Sequence, residues 1–161
     1  MIVSLTDFKN FLGVDPSDTT KDAYYTSVLT TAESKIKAFF GGDVTVNTYT
    51  ETVKFEGKIF YTRYFPIISV TEVKVDGNTI TDYTVGSYYI SFDNEFEQAT
   101  TISVTYTAGF QTLPQEIYTA IILTAMNIVK MQTDIKGDQV SDNRLQREVE
   151  QLLLPYRRFP V

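Results

Sequence analysis

Val104-Thr-Tyr-Thr-Ala-Gly-Phe110, followed by Leu113-Pro114 and the apolar run over residues 117–131, decides how this chain folds. Here a strand ends, the backbone turns and a helix begins. Val104, Thr105, Tyr106 and Thr107 are β-branched or aromatic, the types a pleated, half-buried surface favours. Gly109 permits the positive φ that a sharp exit from a sheet needs. Pro114 suits the first helical position, where its missing N–H costs nothing. The helix, expected to run to about Gln132, is apolar on most of its circumference. Ile117, Ile121, Thr124 and Ile128 share one face, and Tyr118, Ile122, Ala125 and Val129 another. Such a helix is either central or shared with a neighbour.

Working outward, residues 44–107 follow a period of 2 and are rich in Thr, Val, Tyr, Ile and Phe. Strands are expected at 44–55, 59–64, 70–75, 83–85, 88–92 and 101–106. Gly57, Asp76-Gly77-Asn78 and Gly86-Ser87 supply the turns, and Asp-Gly is the strongest hairpin signal among them. Pro66 cannot donate to a ladder, which places 65–68 at an edge or corner. Before the sheet, Ser4-Leu-Thr-Asp7 forms a capping box that opens a short helix ending at Gly13. Asp15-Pro16 starts a longer helix, with Asp18 and Asp22 near its positive end. Its buried stripe is Tyr25, Val28, Leu29, Ala32, Ile36, Phe39 and Phe40, and Gly41-Gly42 ends it. After the central helix, 133–142 is a polar connector. Asp142 caps a last helix with the stripe Leu145, Val149, Leu152 and Leu153, stopped by Pro155.

The expected class is α+β: an N-terminal helix pair and C-terminal helices packed as a small bundle, with an inserted antiparallel β-sheet. One domain covers 1–161, helical over 1–42 and 114–155, β over 43–108, with a tail at 156–161. A chain of 161 residues with 43% apolar content can bury a real core.

Composition narrows the chemistry. There is no cysteine, hence no disulfide or thiolate nucleophile, and no histidine, the usual general base and metal ligand. Ser-His-Asp and Cys-His triads and H-E-x-x-H sites are impossible, so a non-enzyme without cofactors is expected. A net charge of −6 argues against wrapping nucleic acid. The first seven residues lack a basic segment followed by a long apolar one, so no signal peptide is expected. The apolar run near 120–126 is broken by Thr124, Asn127 and Lys130, short of the ~20 residues a membrane span needs. A soluble protein, intracellular at synthesis and with no membrane partner, is the expectation.

Three constellations invite functional readings. Asp93, Glu95 and Glu97 could hold a hard cation, giving a carboxylate metalloenzyme, or could be the solvated end of a hairpin. Asp134, Asp138 and Asp142 resemble a calcium loop, but Lys136 and Leu145 stand where ligands should be. Tyr24, Tyr25, Tyr49, Tyr61, Tyr64, Tyr83, Tyr88, Tyr89 and Tyr106 could form a stacking platform, or fill a sheet core or a subunit interface. Separately, the tail Tyr156-Arg-Arg-Phe159, between Pro155 and Pro160, combines residue types that anchor interfaces. A frayed terminus is the alternative.

Four segments together resemble the head–tail connector (adaptor, or head-completion) proteins of tailed bacteriophages. They are Ala32-Glu33-Ser34-x-Ile36 before a Gly turn; Phe65-Pro-Ile-Ile-Ser-Val70 leading to Val73-Lys-Val-Asp-Gly77; Tyr106-Thr-Ala-Gly-Phe110 with Leu113-Pro114; and Leu152-Leu-x-Pro-Tyr-Arg-Arg158. The sheet region is long for the smaller members. The resemblance implies a homo-oligomeric ring below the portal protein, matching its twelvefold symmetry, in the virion at the head–tail interface and assembled in the host cytoplasm. It extends the DNA channel toward a stopper or tail-completion protein, and packaged DNA passes without sequence-specific binding. It further implies portal contact at Tyr156, Arg157, Arg158 and Phe159, and subunit packing at Ile117, Ile121, Ile122, Ala125, Ile128, Val129, Tyr25 and Leu29. A neighbouring head-closure or tail-terminator protein is the second reading of the same resemblance.

Overall fold

The computed structural model describes residues 1–133 and 139–156. Its elements are α1 (Leu5–Leu12), α2 (Asp22–Phe40), β1 (Asn47–Tyr61), β2 (Ile67–Val75), β3 (Asn78–Thr79), β4 (Tyr83–Val85), β5 (Tyr89–Ala108), α3 (Gln115–Thr133) and α4 (Gln139–Leu153), closed by a 3-10 turn at Leu154–Tyr156. The class is α+β, as expected. Two compact units divide the chain: Met1–Phe39 with Leu113–Val161, and Phe40–Thr112.

In the helical unit, the Ser4 hydroxyl accepts from the Asp7 N–H at 3.0 Å, and Gly13 closes α1 at φ 69°. α2 starts later than expected, at Asp22 rather than beside Pro16. The cause is Lys9, which is only 2% exposed. Its ammonium donates to the carbonyls of Pro16 (3.2 Å) and Asp18 (2.9 Å) and pairs with the Asp22 carboxylate. Carbonyls turned toward a buried cation cannot also point along a helix axis. Asp15 and Asp18 instead accept from the N–H groups of Ser17 (2.8 Å) and Thr20 (3.0 Å), holding the loop in two Asx turns. The α2 stripe is buried at Tyr25, Val28, Leu29, Ala32, Ile36 and Phe40, whereas Phe39 is 40% exposed. α3 begins just after Pro114, whose carbonyl accepts from Ile117 and Tyr118. α4 begins at Gln139, ahead of Asp142, so Asp142 does not cap it. Residues 134–138, with Asp134 and Asp138 of the calcium-like pattern, lie outside the described residues.

In the sheet unit the named strands pair antiparallel in the order β1-β5-β2-β3, with β4 beside β5, and a single parallel bridge joins Thr45 to Phe110. The expected strands at 44–55 and 59–64 are one strand, and so are those at 88–92 and 101–106. Gly57, at φ 106°, makes a bulge between shifts in the β1–β5 register instead of a turn. The Asp76-Gly77 hairpin forms between β2 and β3, both residues at positive φ as a two-residue turn requires. Pro66 sits at the corner just before β2. Phe60, Val73, Ile90, Phe92, Ile102, Val104, Tyr106 and Ala108 form the core.

Candidate assembly surfaces

Gly109 ends the sheet at φ 120°, and a Cβ there would lie 2.4 Å from the Thr45 carbonyl oxygen. Only glycine lets the 44–46 backbone approach so closely. Phe110 then donates its N–H to the Val44 carbonyl at 2.9 Å, and Gly109 to that of Pro66 at 3.0 Å. The opening motif is therefore a backbone clasp as well as a turn.

One face of the sheet is a lattice of hydroxyls. Thr48 meets Thr107 at 3.3 Å, Thr50 meets Thr105 at 3.0 Å, the Thr52 hydroxyl donates to Ser103 at 3.1 Å, and Lys54 donates to Thr101 at 2.7 Å. Register continues the rows onto Ser69, Glu72 and Lys74 of β2, where Lys74 pairs with Glu72 at 2.7 Å. On the other face Tyr106 is wholly buried. Its hydroxyl donates to Glu51 and accepts from the Tyr64 N–H at 3.1 Å, while Glu51 also accepts from the Arg63 N–H at 2.8 Å. Burial, then the Glu51 hydrogen bond, pushes the Tyr106 hydroxyl well above the ordinary tyrosine range. This network ties 62–64 to the sheet, and no local sequence pattern marks Glu51 as its anchor.

The tyrosines separate by environment. Tyr49 stacks on Tyr64 with centroids 3.7 Å apart. Tyr61 and Tyr88 are exposed and stack at 6.3 Å, with Tyr89 edge-on to Tyr88 at 5.4 Å. Asp93, Glu95 and Glu97 lie exposed within the long strand β5, not at a hairpin end. Among the described residues no three acidic side chains form a metal-holding group.

The helical unit holds the residues expected to pack between subunits. Ile117, Ile121, Ile122, Ala125 and Leu29 are 0% exposed and Tyr25 is 7%, so all six are buried within their own chain. The all-round apolar pattern of α3 is spent largely on its own fold. Ile128 and Val129 stay half-buried. Ile128 lines a groove of ≈ 290 Å³ with Phe39, Leu123, Met131, Val149 and Asn127. The buried Oδ1 of Asn127 has no hydrogen-bond partner among the described residues. Phe39, Met131 and Leu154 add exposed apolar surface to this unit.

Two buried ionic groups act on backbone. Lys9 organises the loop before α2. Glu33, 8% exposed, accepts from the N–H groups of Ile2 and Val3, the latter at 3.2 Å, and so fixes the first residues against α2. That gives the Ala32-Glu33-Ser34 segment its physical meaning. The Tyr118 hydroxyl donates to Asp7 at 3.0 Å and joins α3 to α1. Of the tail, Tyr156 donates to Glu116 at 3.1 Å, while Arg157, Arg158 and Phe159 lie outside the described residues.

A family profile described as head completion protein matches residues 1–159. The chain belongs to the head completion protein family. No curated protein matches it. Among solved structures, this head completion protein is similar to a chain in the neck of an empty gene transfer agent (GTA) particle computed with C6 symmetry. The TM-score is 0.70 at 16% identity, covering 99% of this chain and 91% of that one. A chain of the native GTA virion gives the same figures. A chain in the neck of a native GTA particle computed with C12 symmetry follows, with TM-score 0.63, 15% identity and coverage of 96% and 88%. At such identities the likeness establishes the fold.

Proposed function

We propose that this head completion protein is a structural head–tail connector of a phage-like particle, one copy of a ring that docks under the portal and extends the DNA channel toward the stopper or tail. The family match across residues 1–159 carries the connector role. The ring is supported by the necks of similar fold, computed with C6 and C12 symmetry. Twelve copies would match a twelvefold portal.

The surfaces support a scaffold rather than a catalyst. Buried charges here position backbone, and the exposed acids Asp93, Glu95 and Glu97 are spread along β5. A chain of net charge −6 suits a wall that DNA passes without adhering. Subunit contact is assigned to the apolar groove at Ile128, Phe39 and Met131, with Val129 beside it, in place of the buried residues of α3. Portal contact is assigned to Tyr156, Arg157, Arg158 and Phe159. The working place is the head–tail interface of the virion, after assembly in the host cytoplasm.

The test is to mix the chain with the portal of its own particle and follow complex formation by sedimentation. Full-length chain should co-sediment, and deletion from Pro155 onward should abolish it. Unchanged affinity after the deletion would remove the tail from the contact.

A further inference from the structure

Three tyrosines in the sheet unit form an aromatic cluster open to solvent. Tyr61 ends β1 and Tyr89 opens β5 directly opposite it in register, so their side chains share a face. Tyr88 comes just before. The Tyr61 and Tyr88 side chains are near parallel, tilted by 11° with centroids 6.3 Å apart. Tyr89 stands edge-on to both, at 65° and 6.4 Å from Tyr61 and at 75° and 5.4 Å from Tyr88. Tyr61 is 38% exposed and Tyr88 48%, so aromatic faces reach the surface. Tyr49 and Tyr64, by contrast, close on each other at 3.7 Å.

The backbone beneath the cluster is held firmly. The Ser87 carbonyl accepts from the Ile67 N–H at 2.7 Å, the Tyr88 carbonyl from the Thr62 N–H at 3.1 Å, and the Tyr89 carbonyl from the Gly86 N–H at 2.9 Å. A Cβ on Gly86 would lie 2.4 Å from the Tyr89 side chain, so the missing Cβ leaves the space that Tyr89 occupies.

Charge decides what such a surface takes. The faces of aromatic side chains are the negative pole of their quadrupole. Residues 56–61 and 82–97, which carry the cluster, hold the exposed carboxylates Glu56, Asp82, Asp93, Glu95 and Glu97 against one exposed cation, Lys58. Arg63, next along the chain, lies over Tyr64 at 5.7 Å. That field repels nucleic acid and attracts a basic segment. Near-parallel faces also favour a flat cation, because a plane laid along one face is aligned with the other. Guanidinium is flat and stacks on aromatic faces, whereas ammonium is a compact point charge. Ile59, on the same face as Tyr61 and 43% exposed, offers apolar surface to an arginine's methylene stem.

We propose that Tyr61, Tyr88 and Tyr89 bind, by cation–π contact, an arginine side chain presented by a basic segment of a partner protein. The inference does not depend on assembly into a ring.

NMR titration of the full chain with an octapeptide of alternating glycine and arginine tests it, beside citrulline and lysine versions. Citrulline keeps the plane and removes the charge. The aromatic signals of Tyr61, Tyr88 and Tyr89 should shift saturably with the arginine peptide, and the citrulline peptide should bind about tenfold or more weakly. Tyr88→Phe keeps the aromatic face and should bind as the unmodified chain does. Tyr88→Leu keeps only apolar area and should bind about tenfold more weakly. Equal binding of the citrulline peptide, or unchanged binding by Tyr88→Leu, overturns the cation–π contact. Shifts confined to Asp93, Glu95 and Glu97 would mean charge attraction alone and overturn the site. A lysine peptide that binds as tightly overturns the assignment to arginine. A proline-rich peptide or an oligothymidylate that shifts the three tyrosines at lower concentration than the arginine peptide overturns the choice of ligand.

Discussion

The helical and sheet units solve the same problem with opposite chemistry. Between Met1 and Phe39 the chain fixes its irregular segments with buried ionic groups: Lys9 gathers the loop carbonyls and Glu33 holds the first N–H groups. Between Phe40 and Thr112 a hydroxyl lattice, a glycine clasp and one tyrosine hydroxyl serve that purpose, and the charged groups that join them, Glu51, Lys54 and Asp76, are half-buried or exposed. A buried charge is specific but fails badly when its partner is removed. Hydroxyl pairs are individually weak and degrade gradually. The unit with concentrated contacts should be fragile at single positions, and the lattice tolerant.

The sharpest way to break that contrast is Lys9→Ala. It strands the Asp22 carboxylate and two carbonyls, and should cost about 3–5 kcal/mol in chemical denaturation. A loss below about 1 kcal/mol would mean that the ammonium organises nothing. Gly109→Ala probes the one concentrated point of the sheet unit. Strain at φ 120° and the approach to Thr45 should cost about 3 kcal/mol or more, with Asn47–Ala108 pairing lost first by hydrogen exchange. Glu33→Gln keeps an acceptor but removes the charge. It should cost about 1–2 kcal/mol, and Glu33→Ala more, with the amides of Ile2 and Val3 deprotected.

Acid sharpens the same comparison. Hydrogen bonds from Ser4 and then Tyr118 hold the Asp7 carboxyl below its ordinary 3.8, and bonds from Ser17 and Thr20 do the same for Asp15 and Asp18. A carboxyl depressed on folding contributes stability above its unfolded pKa and loses it as pH falls through the folded one. All three lie in the helical unit. Its amides should therefore lose protection below about pH 4, before those of the hydroxyl rows. The smallest effect is expected for Thr50→Val, which removes one cross-strand hydroxyl pair and should change stability by less than about 1 kcal/mol.

The same contrast explains what could be read beforehand. Apolar spacing places α1, α2, α3 and α4 because a helix buries a stripe whatever its neighbours do. The start of α2 escapes that logic, since it depends on burying Lys9, and lysine is among the residues least often buried. Sequence alone divides each long strand in two, because Gly57 carries a turn signal and Asp93, Glu95 and Glu97 look like a solvated hairpin end. Whether a glycine turns or bulges depends on the partner strand, which no local pattern contains. The apolar circumference of α3 pointed to a shared surface. Burial of Ile117, Ile121 and Ile122 shows that folding alone uses most of it. Glu51 and Glu33 were unreadable as anchors because their hydrogen-bond partners lie far away in sequence.

The central claim is a ring, and electron microscopy of the purified chain mixed with its own portal tests it most directly. The account predicts portals capped by a closed ring of this chain, with copy number matching the portal's symmetry. Portals left bare at saturating chain concentration, with the chain still monomeric, would contradict it.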